Sequence, residues 1–78
     1  MSRKIKLIWD FRGAAAPKTA EHHEIHLKEF IVMEKLPINI TGFEIINEMY
    51  AIAWMVVTDE TMIPVRDALK PHRGELFE

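Results

Sequence analysis

The stretch YAIAWMVV, from Tyr50 to Val57, is apolar on both of its alternating sets of positions. Ile52, Trp54 and Val56 fall on one side of an extended chain; Ala51, Ala53, Met55 and Val57 fall on the other. A strand with one polar side can face water. A strand with none has to run inside a sheet with both faces covered. The chain has 78 residues, so it forms one domain, residues 1–78, and must find that cover within a small structure. A domain of this size buries only about 60% of the surface its unfolded chain exposes. Composition supplies the material: 49% of residues are hydrophobic and 28% charged, outside the range of disordered chains.

The remaining segments supply partners for that strand. KIKLIWDF alternates, with Ile5, Leu7, Trp9 and Phe11 on one side, which is a strand pattern ended by Arg12 and Gly13. Residues 14–36 carry few strand formers and no internal glycine. Pro17 suits a first helical turn, where its missing N–H costs nothing. At the helical period Ala16, Ala20, His23, Leu27, Phe30 and Ile31 share one face. The helix is expected to end near Leu36, before Pro37. A further strand holds Ile40, Phe43, Ile45 and Ile46 and turns around Asn47 and Glu48 into the apolar strand. TDETMIPVRDALK reads as a second helix, capped by Thr58 or Asp59, with Pro64 tolerated only in its first turn and Pro71 as its stop. GELFE can add a short last strand.

Strand, helix, strand, strand, helix, strand is the order of an α+β, ferredoxin-like βαββαβ plait, an antiparallel sheet with two helices on one face. The other face is then left bare, although the middle strand is apolar on that side too. A contiguous apolar sheet face marks an association surface. The expectation is a homodimer packed through its sheets.

Charge and composition exclude several classes. The net charge of −2 argues against a nucleic-acid binder. With no cysteine there is no disulfide, zinc ribbon or catalytic thiol, and the usage fits a reducing, cytoplasmic setting. No apolar run is long enough to span a membrane, and the N-terminal residues do not read as a signal peptide. Ser2 is the only serine and stands at the terminus, which leaves no serine nucleophile in the body of the chain.

EHHEIH, residues 21–26, holds three of the four histidines. With Leu27 at the centre of the buried face, His23 lies roughly 40° away, His26 roughly 100° and His22 roughly 140°. His23 therefore belongs to the core edge, where desolvation disfavours its charged form and lowers stability below about pH 6. His22 and His26 are i, i+4 neighbours able to meet one divalent transition-metal ion. The metalloprotease pattern H-E-x-x-H is absent, because His23 stands where its Glu would be. A protein zinc site needs further ligands. Asp10, at the end of the first strand, is expected near these histidines; His72, after helix two, is expected at the far end. The plainer alternative is a partly buried His23 with two solvated neighbours.

GAAAPKT, residues 13–19, lacks the second glycine of a phosphate loop. Arg12, Lys18 and the free N–H groups of the helix start are nevertheless candidates for holding a small anion. KPHRGE adds His72 and Arg73 in one turn. The candidate residues are thus Asp10, Arg12, Lys18, His72 and Arg73 for a small ligand and His22 and His26 for a metal. The functional expectation is a small cytoplasmic binding or regulatory module, more a binder than an enzyme, that dimerises through its sheet face and holds a metal ion or small anion at a polar cluster of Asp10, Arg12, His22 and His26. The rivals are a small dimeric α/β-barrel-type enzyme using a histidine as acid or base, with Asp10, Arg12, His22 and His26 as one polar cluster, and a structural subunit that docks on another protein.

Overall fold

In a computed structural model describing residues 3–77, the apolar stretch forms β3 (Tyr50–Thr58), an interior strand. Its neighbours are β1 (Lys4–Arg12) on one side and β2 (Thr41–Asn47) on the other, and β4 (Arg73–Leu76) pairs with the far edge of β1. The order is β2-β3-β1-β4 and every pairing is antiparallel. Helices α1 (Ala16–Glu34) and α2 (Asp59–Leu69) complete the βαββαβ ferredoxin-like plait. Ser2 and Glu78 lie outside the described residues. No described helix is long and apolar enough to cross a membrane.

The two-residue period of the central strands decides which side chains meet the helices. Ile5, Leu7, Trp9 and Phe11 stand opposite Val57, Met55, Ala53 and Ala51. All eight belong to the core or pack against it, together with Ala16, Ala20, Leu27 and Ile31 of α1 and Val65 of α2. Ala20, Ala51 and Ala53 are fully buried, and these small side chains let α1 lie close on the sheet. The indole N–H of Trp9 donates to the Leu69 carbonyl at 2.9 Å and ties the end of α2 to the core.

Local chemistry sets the ends of the elements. Lys35 takes the left-handed conformation after α1, and the Leu36 N–H reaches back to the Ile31 carbonyl at 3.1 Å. The helix therefore stops at Glu34, slightly before the expected Leu36. Thr58 caps α2: its hydroxyl accepts from the Thr61 N–H, and the Thr61 hydroxyl accepts from the Thr58 N–H, each at 3.2 Å. Pro64 lies inside α2 rather than in its first turn. Its ring has no N–H to give to the preceding turn, a cost that the capping box and the buried Val65 offset.

The helix-free face corrects the picture of a bare apolar surface. Ile8, Ile52 and Val56 point to this side, yet they keep only 2%, 8% and 1% of their surface in a single chain. Longer side chains stand beside them on the same face. Trp54 stacks with Phe77 at 6.5 Å between ring centroids, and the Lys6 ammonium stands 4.6 Å from the Trp54 ring centroid. The indole lies flat across Gly42, its partner on β2, so a Cβ there would overlap the ring. Gly42→Ala is expected to lift the indole into water and red-shift Trp54 emission; an unchanged emission spectrum would show that the ring does not rest on Gly42.

Candidate functional site

Three strands far apart in sequence bring a set of polar side chains together on the helix-free face. Asp10 points away from the helices because it alternates with Trp9 and Phe11, which face them. Its carboxylate accepts from the Tyr50 hydroxyl at 2.6 Å and, through both oxygens, from Arg73 Nε and Nη2 at 3.2 Å each. The Arg12 guanidinium lies over the Tyr50 ring, 4.2 Å from its centroid. Arg73 first, then Tyr50, hold the Asp10 carboxyl below its ordinary value, because both donate to its charged form.

His72 closes the edge of the cluster. The pairing of β1 with β4 ends at Ile8 and Arg73. One step further the Asp10 backbone N–H donates to His72 Nδ1 at 2.7 Å, and the His72 N–H donates to the Ile8 carbonyl at 2.9 Å. The imidazole thus replaces a missing strand residue. As Nδ1 is the acceptor, the neutral ring carries its proton on Nε2 and can donate outward. His72 was expected at the far end of the fold. It lies beside β1 instead, because β3 runs against β1 and α2 runs back along β3, so that α2 ends near the end of β1.

Of the five candidate ligand residues, the structure brings Asp10, Arg12, His72 and Arg73 together and leaves Lys18 out. Lys18 is exposed on α1 and shares a shallow surface recess with Glu21, His22 and Ile25, whereas Arg12 lies on Tyr50. A joint anion site of Arg12, Lys18 and the helix start is therefore not formed. Asp10 also does not approach His22 or His26, since its carboxylate is taken up by Tyr50 and Arg73 on the opposite face. The cluster expected of Asp10, Arg12, His22 and His26 is split by the sheet.

Sequence reasoning missed Tyr50. It directly opposes Arg12 in the register of β1 and β3, and that pairing depends on where the hairpin turns. A bulge at Ile46 shifts the register between Ile45 and Asn47, and the Asn47 side chain accepts from the Met49 N–H at 2.8 Å to shape the turn.

On the helix side, His22 and His26 are exposed and adjacent, Nε2 to Nε2 at 2.9 Å. His23 turns inward between Trp9 and Phe11, with ring centroids 4.9 and 5.4 Å away. Its Nε2 is buried with no hydrogen-bond partner among the described residues. Desolvation, then the neighbouring His26, His72 and His22, push its pKa below the ordinary value. Among the described residues no group of three or more histidines and carboxylates is placed to hold a metal.

Comparison of the chain with protein-family models, with curated proteins and with solved structures returns no match.

Proposed function

We propose that the chain is a small binding module whose helix-free sheet face is its working surface, and that the end of this face holds a small carboxylate- or phosphate-bearing ligand. The supporting observation is the interlocked group of Asp10, Tyr50 and Arg73 with Arg12 and His72 beside it. Asp10 takes two of the five N–H donors of Arg73. Among the described residues Arg12 has the Tyr50 ring but no carboxylate, and His72 offers its Nε2–H. A ligand anion would meet two guanidinium groups fixed by aromatic and carboxylate neighbours, an arrangement suited to planar, bidentate recognition.

The same face is proposed to meet a second copy of the chain. It carries Lys6, Arg12 and Arg73 together with Asp10, Glu44 and Glu75, the mixture of signs that a surface needs to match itself across a two-fold axis. Contact would run through Trp54, Tyr50 and this charged rim, because the aliphatic centre is already covered. A cytoplasmic setting fits the absence of cysteine.

Titration of isotope-labelled protein with inorganic phosphate and with succinate tests the ligand. The expected result is saturable amide shifts at Asp10, Tyr50 and Arg73, with affinity falling about tenfold in Arg12→Ala, the effect of losing one charge-assisted contact. No saturable shift up to roughly 10 mM of either anion would overturn this reading. Light scattering at tens of micromolar tests the second copy separately: a monomer would overturn the dimer and leave the ligand site standing.

A further inference from the structure

His22 and His26 stand one helical turn apart on the exposed side of α1, whereas the proposed ligand site is built around Asp10 on the helix-free face. We propose that these two imidazoles form a binding site for a divalent transition ion that favours right-angle coordination, of the Cu(II) or Ni(II) class.

The distance between the two nitrogens, which is that of the hydrogen bond they share, also fits this class. Two metal–nitrogen bonds of about 2.0–2.1 Å place their nitrogens about 2.9 Å apart at a right angle and about 3.3 Å apart at a tetrahedral angle. The Nε2 atoms are 2.9 Å apart, the right-angle value. Ring positions agree. Two imidazoles aimed at one ion at a right angle have centroids about 4.5 Å apart, whereas rings aligned along a straight N–H···N bond stand about 5.2 Å apart. The observed separation is 4.5 Å, with the rings 83° to each other. The rings are thus bent toward one another rather than aligned end to end.

Glu29 prepares the pair. Its carboxylate lies 3.3 Å from His26 Nδ1, one helical turn further on. A proton on Nδ1, on the side of this carboxylate, would leave Nε2 as the lone pair, as in the carboxylate–histidine–metal arrangement that fixes the tautomer of a ligand. The hydrogen of the His22–His26 bond then belongs to His22 Nε2. An arriving ion takes that position as His22 moves its proton to Nδ1. With no third protein ligand among the described residues, water fills the remaining positions. His26 and Glu29 have side chains 58% and 68% exposed, so the site is open and the ion exchangeable.

Tag-free, chelator-treated protein titrated calorimetrically with Cu(II) or Ni(II) tests the proposal, with electron paramagnetic resonance on the copper form. One ion per chain and hyperfine structure from two nitrogens are expected. His22→Ala and His26→Ala should each abolish this binding, and Glu29→Gln should weaken it by about tenfold or more, the usual effect of removing a ligand's orienting carboxylate. All three side chains are on the helix surface, and far-UV circular dichroism checks that α1 is intact. Binding of unchanged strength in either histidine variant, or a single-nitrogen spectrum in the parent protein, would overturn the proposal.

Discussion

Leu27→Ala is expected to destabilise the protein by about 3 kcal/mol, the middle of the range for truncating a buried leucine. Leu27 is 1% exposed and stands where α1 crosses the sheet, within the cluster that includes Met55, Trp9 and Ala53. Its side chain is among the largest fully buried ones, and its removal leaves a cavity between helix and strands that tight backbone packing cannot collapse. For a domain of this size each kcal/mol lowers Tm by about 4–8 °C, so a fall of well over 10 °C is expected in a thermal melt. The same seat orients the histidines on either side of it. In chemical denaturation the variant should keep the parent's slope and lose midpoint. A loss below about 1 kcal/mol would mean that α1 is not seated on the sheet through this residue.

His23→Leu is expected to act in the opposite direction. The buried Nε2 has no partner among the described residues, and an unsatisfied buried polar atom costs about 1–3 kcal/mol. A leucine of similar volume between Trp9 and Phe11 removes that cost, so the variant should gain roughly 1–2 kcal/mol at neutral pH. The pH dependence gives a sharper test. The folded-state pKa of His23 lies below its ordinary 6.5, so the unfolded chain binds the proton more readily. Its contribution is fully present above pH 6.5 and is lost as pH falls through the depressed folded value. Asp10 adds a second, more acidic limb of the same sign: its folded pKa lies below 3.8, and its contribution fades as pH falls through that lower value. His23→Leu should remove the limb beginning at 6.5 and keep the acidic one. Melts in chelator-containing buffer across this range, with parent and variant showing the same slope, would show that His23 is not the titrating group.

The periodicities of the chain were enough to fix its elements and their order. The alternation of KIKLIWDF, the two-sided apolar character of residues 50–57 and the 3.6-residue spacing of Ala16, Ala20, Leu27 and Ile31 each describe burial along one element, and burial is imposed locally by side-chain direction. The inward turn of His23 and the pairing of His22 with His26 were legible for the same reason, since all three sit on one helix.

What joins different elements was decided only by the tertiary structure. Tyr50 meets Asp10 and Arg12 because a bulge and an Asn47 turn set the register of a hairpin, and His72 reaches Asp10 because α2 runs back along β3. A one-residue slip in either would have sent these side chains to the other face. The cover over Ile8, Ile52 and Val56 is of the same kind. Hydrophobicity marks those residues as apolar, but Trp54 folding across Gly42 and Phe77 reaching it from beyond β4 are contacts between strands. Periodicity acts along a single element, whereas register and cross-strand packing arise only when separate elements meet.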